Sequence, residues 1–157
     1  MSRGRSEAGE YLTDAEFRAW HGALQFTNRA MRAIDEALSA AHDVSITEFD
    51  VLITLFNAPD GRLRMTELAE RVVLTPSGLT HLVTRLENKG LVCRVVDTDD
   101  RRSFFAELTP TGRRRLRESR ATHNEVIRAR LTRRLSAKQL ASLGALFGAI
   151  DDADATD

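Results

Sequence analysis

Mostly apolar side chains recur every three or four residues near both ends of the chain, which is the spacing of one helix face. Near the N-terminus this spacing predicts a long helix over 13–41, which begins at a Thr13/Glu16 capping box. Near the C-terminus it predicts a second helix, which begins at a Ser136/Gln139 capping box. The positions along these faces are Phe17, Trp20, Leu24, Thr27, Met31, Ile34 and Leu38, then Leu140, Leu143, Phe147 and Ile150. A long helix cannot bury such a face alone, so the pattern predicts homodimerisation. Burial inside a single copy is the weaker alternative.

Between these helices the pattern changes to shorter elements. A third capping box, Ser45/Glu48, opens a short buried helix. The predicted elements that follow are a breaker at 58–61, an extended piece at 63–65, a helix over 66–73, a second helix from Thr75-Pro76 to Lys89-Gly90, and strands over 91–96 and 104–108. Thr109-Pro110 then begins another helix. Two helices joined by a tight turn and followed by a hairpin indicate a winged helix-turn-helix.

The second helix of this unit has two distinct sides. Leucine and valine occupy its inner side, whereas its start and outer side carry Thr75, Ser77, Gly78, Thr80, His81, Thr84 and Arg85. A winged helix-turn-helix inserts such a helix in the major groove of DNA, while an arginine of the wing enters the adjacent minor groove. Double-stranded DNA is therefore the expected partner. A solvated face that binds nothing, and a winged-helix module that binds protein, are the alternatives.

The zero net charge conceals an uneven distribution. Residues 113–134 hold 9 basic and 2 acidic side chains, whereas residues 1–61 hold 5 basic and 10 acidic ones. Residues 62–112 hold 8 basic and 7 acidic side chains, and residues 135–157 hold 1 basic and 4 acidic side chains. The basic middle of the chain is compatible with a polyanionic partner.

Size and composition exclude several classes of protein. The 157 residues suit one compact domain, and a hydrophobic fraction of 42% with 29% charged residues is unlike a disordered chain. No run is long and apolar enough to span a membrane, and residues 1–10 lack the apolar core of a secretory signal. A single cysteine excludes an internal disulfide. A cytoplasmic protein that binds no membrane is expected.

Catalytic and metal-binding motifs are not found in the sequence. The four histidines are scattered over different segments, and no nucleophile motif or paired carboxylates occur. We therefore expect no enzyme, no cofactor and no metal site. Cys93 falls in the first wing strand beside apolar neighbours and is expected to be buried and inert rather than a redox trigger.

Four strings between the long helices carry a family resemblance. They are Glu-Phe-Asp-Val-Leu at 48–52, Arg-Leu-Glu-Asn-Lys-Gly-Leu-Val at 85–92, Asp-Asp-Arg-Arg at 99–102 and Leu-Thr-Pro-Thr-Gly at 108–112. In this order and spacing, the sequence over 46–112 closely resembles the MarR family of ligand-responsive transcriptional regulators.

The resemblance implies a mainly α (α+β) fold. Segments 13–45 and 113–152 would form a dimerisation domain, 46–112 the winged helix-turn-helix DNA-binding lobe, and 1–12 and 153–157 flexible ends. Members of the family are dimers that bind pseudopalindromic operators. The expected function is therefore a dimeric, sequence-specific regulator, a repressor released from its operator by a small-molecule effector.

The same resemblance implies roles for individual residues. The family's wing pattern falls on Asp100 and Arg102, with Arg102 as the minor-groove finger, Arg101 as a backbone anchor and Asp100 as the support of the loop. The family's effector cleft falls on Trp20, His21, Asp50, Arg94 and His123.

The effector residues have alternative readings. Asp50 and Arg94 match a pair that couples ligand to DNA binding in the urate-responsive branch, but another arginine of that site is replaced by Leu82, which argues against urate. Asp50 and Arg94 are alternatively a structural ion pair. Trp20 is alternatively an aromatic residue of the dimer seam.

Overall fold

The computed structural model describes residues 11–97 and 103–154, with the backbone alone for 151–154. The elements are α1 (Asp14–His42), α2 (Ile46–Asn57), β1 (Arg62–Arg64), α3 (Met65–Arg71), α4 (Pro76–Asn88), β2 (Val92–Val96), β3 (Phe104–Leu108), α5 (Pro110–Arg130), a short 3-10 helix (Thr132–Arg134) and α6 (Ala137–Asp154). A helix-turn-helix and a hairpin thus lie between long helices, in the predicted order.

Side-chain caps fix the starts of the helices. The Thr13 hydroxyl accepts the Glu16 N–H at 3.3 Å, and the Glu16 carboxylate accepts the Thr13 N–H at 2.7 Å. The same reciprocal box joins Ser45 and Glu48. Each box satisfies two backbone N–H groups that the first turn leaves free, so the predicted starts of α1 and α2 are confirmed. The helix predicted over 66–73 is shifted slightly, because α3 spans Met65–Arg71.

The hydrophobic core is centred on α2, the helix-turn-helix and the hairpin, and it extends to Ile34 and Leu38 of α1 and Leu116 of α5. Its largest buried side chains include Phe49, Leu52 and Leu55 of α2, Leu68 of α3, and Leu79, Val83 and Leu86 of α4. These positions recur at helical spacing, so each helix turns one side inward and leaves the other to solvent. The core therefore fixes which side of α4 is exposed.

The sheet is antiparallel with the strand order β1-β3-β2. Ala106 of β3 pairs with Leu63 of β1 on one side and with Arg94 of β2 on the other. Leu63 and Ala106 are buried. The short strand β1 thus anchors the β2–β3 hairpin to the lobe.

Helix α5 begins in close contact with the loop that follows α4. The Thr109 hydroxyl accepts the Gly112 N–H at 2.9 Å and caps the helix. A Cβ atom on Gly112 would lie 2.0 Å from the Leu91 carbonyl oxygen, so only glycine fits there. From this point α5 runs along α1 and packs against it.

Two apolar surfaces have no cover in a single copy. In α1, Ile34 and Leu38 are buried, whereas the apolar residues of its N-terminal half are exposed. The exposed residues, together called the seam, are Phe17, Trp20, Leu24 and Met31 of α1 and Leu146, Phe147 and Ile150 of α6. Two such helices with exposed apolar side chains are typical of an interface rather than of a solvated surface.

Candidate functional site

Helix α4 presents a row of small polar side chains to solvent. It begins at Pro76 because the Thr75 hydroxyl accepts the Gly78 N–H at 3.2 Å, and proline suits a first helical position. It ends before Gly90, whose φ is 67°. Gly78, also expected on the outer side, is partly buried. The exposed residues, which we call the outer face of α4, are Ser77, Thr80, His81, Thr84 and Arg85. Apart from Gly78, the residues predicted on the outer side of the helix are exposed.

The two threonines of the outer face already donate hydrogen bonds within the helix. The Thr80 hydroxyl donates to the Pro76 carbonyl at 2.9 Å, and the Thr84 hydroxyl donates to the Thr80 carbonyl at 2.9 Å. Each threonine keeps its methyl group and an oxygen lone pair for an outside partner. The hydrogen-bond donors that this face can offer are therefore Ser77, His81 and Arg85.

Arg94 connects the hairpin to α4. Its guanidinium pairs with the Glu87 carboxylate and donates to the Thr80 carbonyl and the Thr84 hydroxyl, both at 3.1 Å. The Arg94 backbone N–H also donates to Glu87, at 3.0 Å. The suggested ion pair between Asp50 and Arg94 is therefore wrong, because Glu87 holds the guanidinium. The sequence signal for the Glu87–Arg94 pair was the position of Glu87 near the end of α4, seven residues before Arg94 in β2.

Asp50 and His123 lie near each other where α2 packs on α5. The His123 ring stacks on Phe49, with ring centroids 4.7 Å apart. Partial burial raises the pKa of the Asp50 carboxyl above its usual value, and attraction to the His123 imidazole offsets part of that rise. Two of the five expected effector residues are thus brought together here.

Trp20 and His21 lie on the exposed N-terminal half of α1. Trp20 is 64% exposed. The His21 ring stacks on Phe17, with centroids 5.2 Å apart, and its Nε2 lies 3.2 Å from the Gln25 side-chain amide. Both side chains reach solvent in a single copy, so the five expected effector residues do not converge on one enclosed site there.

A buried carboxylate lies at the point where the strands of the hairpin enter the wing loop. Asp97 is 3% exposed, and its Oδ2 lies 2.6 Å from the Arg64 guanidinium. The Arg62 and Arg64 guanidinium groups lie 4.9 and 5.6 Å from the centroid of the Phe105 ring. These contacts fix the strands up to the wing tip. The residues expected to contact DNA from the wing, Asp100, Arg101 and Arg102, lie outside the described residues.

Cys93 is exposed, so the expectation of a buried thiol is wrong. Side chains alternate along a strand, and in β2 it is Val92 that faces the core. Partial desolvation raises the pKa of the Cys93 thiol, and the charges of Glu107 and Glu87 raise it further. A raised pKa disfavours the thiolate, which is the reactive form of cysteine.

A cavity of about 590 Å³ lies between α4, β1 and the hairpin. We call it the α4 cavity. Its lining residues are Arg64, Met65, Thr66, Thr80, Thr84, Arg94, Ser103 and Phe104. The lining combines apolar side chains with a few polar groups, as ligand pockets commonly do, and its charged residues are both arginines.

The described residues contain neither a cluster of metal ligands nor a membrane-spanning helix. Within residues 11–97 and 103–154, no group of three or more His, Cys, Asp or Glu side chains is placed to hold a metal ion. No helix in the described part of the chain is long and apolar enough to cross a membrane.

Comparison with known proteins identifies the family. The model of the MarR family matches residues 44–104. The structure of Sco3205, a MarR family transcriptional regulator from Streptomyces coelicolor in complex with DNA, is 31% identical, with 91% of this chain and 90% of that chain covered and a TM-score of 0.83. The chain belongs to the MarR family. AbsC, another MarR family regulator from Streptomyces coelicolor, is 26% identical, with coverages of 94% and 99% and a TM-score of 0.82.

Curated relatives match this chain over part of their length. The HTH-type transcriptional repressor YetL of Bacillus subtilis is 35% identical over 102 residues, which cover 65% of this chain and 61% of YetL. The chain spans about half to three fifths of the length of the first curated relatives that it matches. These relatives are transcriptional regulators and not enzymes, in agreement with the expectation from the sequence. The predicted winged helix-turn-helix fold is confirmed.

Proposed function

We propose that the protein is a transcriptional regulator that binds double-stranded DNA through the outer face of α4. The observation that carries this proposal is the contrast between the two sides of that helix. Leu79, Val83 and Leu86 anchor it in the core, while the opposite side exposes small polar groups and one arginine next to a hairpin. A helix held in this way fits the major groove without steric obstruction. Sco3205, solved in complex with DNA, supports the same use of the fold.

Individual residues of the outer face have separate roles in this proposal. His81 donates to base edges, and Arg85 contacts a guanine or a phosphate. Ser77 contacts base edges through its hydroxyl. Because the Thr80 and Thr84 hydroxyl protons are engaged within the helix, these two residues accept hydrogen bonds or contact thymine methyl groups.

The wing completes the interface in this proposal. Arg102 enters the minor groove, Arg101 anchors the backbone, and Asp100 supports the loop. Support comes from the ion pair between Asp97 and Arg64, which joins the end of β2 next to the wing loop to β1. A guanidinium in the minor groove is favoured where A·T pairs narrow it.

The regulator acts as a homodimer in this proposal. The seam provides the apolar surface, and joining α1 and α6 of two copies covers it. A twofold dimer places two α4 helices on half-sites about 34 Å apart, as a pseudopalindromic operator requires. The expected regulatory outcome is repression, as the name of YetL states for that protein.

Release from the operator is assigned to a small organic anion. Arg94 lines the α4 cavity and touches both threonines of the outer face, so a ligand that draws Arg94 away from Glu87 also disturbs the helix that reads DNA. Such a ligand must bind the DNA-free form more tightly, since it shifts the equilibrium only by its difference in affinity. Asp50 and His123, where α2 packs on α5, and Trp20 and His21 on α1 are the further residues proposed to contact the ligand, from the cleft between the dimer helices and the lobe.

Operator binding over a range of salt concentrations tests this function. Sequences are first selected from random DNA with the full chain, and affinity is then measured between about 50 and 200 mM salt. The proposal predicts a linear fall of log K with log salt, with a steep slope because phosphates are neutralised. Failure to retain any DNA, or a flat salt dependence, contradicts the proposal and favours a module that binds protein.

A further inference from the structure

The cation at the end of α4 is directed into the protein rather than towards a partner. Lys89 is the C-cap of α4, and its ammonium group donates to the Asp43 carbonyl at 2.6 Å and to the Glu48 carboxylate at 3.0 Å. The Asp43 carboxylate lies 3.5 Å away. Two of the three N–H donors of the ammonium group are therefore engaged in hydrogen bonds, and its charge is paired with two carboxylates.

The residues that hold Lys89 belong to the junction of α1 and α2. Asp43 is the C-cap of α1, in the left-handed conformation with φ 52°. Lys89 therefore places a positive charge at the negative end of the α1 dipole. Glu48 is in the first turn of α2, and its side chain is only 4% exposed, so its carboxylate requires a charged partner. Lys89 thus connects α4 directly to the ends of two other helices.

This connection lies on the path between the two parts of the proposed regulator. The exposed half of α1 carries part of the seam, and α4 carries the outer face that reads DNA. The junction itself is rigid, because Asp35 accepts the Ile46 N–H at 2.8 Å and Glu48 accepts the Ser45 N–H at 2.9 Å. The contact of Lys89 with this junction therefore acts together with the buried side chains of α4 in setting the orientation of α4 relative to α1.

We propose that Lys89 is a positioning residue that sets the spacing of the two α4 helices in the dimer, and that it does not contact DNA phosphate. The proposal rests on the proposed function, since spacing matters only for a regulator that reads two half-sites. It differs from the usual reading of a lysine at the end of a recognition helix, which assigns the charge to the phosphate backbone.

Arg85 provides the matched comparison. It lies one helical turn before Lys89, it is exposed, and its side chain makes no hydrogen bond with a described residue. Arg85→Gln and Lys89→Met each remove one positive charge from the same helix. A phosphate contact lowers the salt slope by about 1 when it is lost, whereas a positioning residue leaves that slope unchanged.

The experiment measures the affinity of wild type, Lys89→Met and Arg85→Gln for the selected operator and for versions with one base pair added or removed between half-sites. Lys89→Met is expected to lose about tenfold in affinity for the natural spacing, to keep the wild-type salt slope, and to discriminate less against the altered spacings. Arg85→Gln is expected to lower the salt slope and to keep the preference for the natural spacing.

Glu48→Gln is a second variant that separates loss of the Lys89 contact from poor folding of Lys89→Met. Glutamine still closes the capping box with Ser45 but removes the charge that Lys89 binds. It should reproduce the loss of spacing preference, and the double variant should be no worse than either single one, with thermal unfolding confirming folded protein.

Two results overturn the inference. One is a salt slope that falls in Lys89→Met as it does in Arg85→Gln. The other is an unchanged spacing preference in folded Lys89→Met or Glu48→Gln. A wild-type protein that binds no DNA contradicts the proposed function instead, so the two failures are distinguishable.

Discussion

Replacing Trp20 by alanine tests whether the seam joins two copies of the chain. Trp20 is 64% exposed. A tryptophan offers about 200 Å² of surface, so about 130 Å² remains to be covered by a partner. At about 25 cal/mol per Å², full coverage contributes about 3 kcal/mol in each protomer. Because coverage is incomplete and alanine keeps some contact, we expect the dimer to weaken by about 2 to 4 kcal/mol, or roughly 30- to 700-fold in its dissociation constant.

Sedimentation of labelled protein over nanomolar to micromolar concentrations measures that dissociation constant. Val73→Ala is the matched control, because Val73 is an apolar residue that is 88% exposed but lies in the turn before α4, outside the seam. Its dimer should dissociate like that of the wild type. A Trp20→Ala dimer that is as tight as the wild type refutes the reasoning and leaves the alternative role of Trp20 in an effector site.

The remaining predictions concern packing, backbone strain and ionisation. Gly112→Ala should lower the free energy of unfolding by about 1 to 3 kcal/mol, because the new Cβ would overlap a backbone oxygen. Gly144→Ala is the control and should not lower it, because a Cβ there has no atom within 4 Å. Equal denaturation midpoints for the two variants would contradict this packing. Val73 has φ 54°, so Val73→Gly should raise the free energy of unfolding by about 1 kcal/mol in urea denaturation, and a loss would show that the turn is not strained. Partial desolvation raises the pKa of the Asp50 carboxyl in the folded state, so protonation of this group favours folding. Its contribution to stability is fully present below the unfolded pKa of 3.8 and is lost as pH rises through the folded pKa. Removing the imidazole in His123→Ala should raise the pKa of Asp50 further in an NMR titration, and a lower pKa would contradict the assigned attraction.

Features that depend on a few neighbouring residues were predictable from the sequence. The Thr13/Glu16 and Ser45/Glu48 boxes are closed in the structure because a cap needs only side chains within the first turn. The outer face of α4 followed from helical spacing, since apolar positions choose the buried side whatever the rest of the fold does. Local chemistry thus fixed the helix starts and the exposed side of α4.

Contacts between distant segments were not predictable in the same way. Arg94 had several acidic residues within reach, and the chain path made Glu87 its partner instead of Asp50. The exposure of Cys93 depended on the register of β2, because one residue of slip exchanges the two faces of a strand. Lys89 gave no signal of its role, since its partners at the junction of α1 and α2 lie far away in the sequence.

Parallel operator selection with the wild type and a Thr80→Ala/His81→Ala variant tests the central claim most directly. Both proteins select from the same random DNA at one salt concentration, with Ser142→Ala as a control that removes a small hydroxyl from α6. If α4 reads bases, the double variant should lose preference at the positions that these residues contact, by about 1 to 3 kcal/mol each, while the control selects the wild-type operator. An identical operator from the folded double variant would contradict the assignment of base reading to α4.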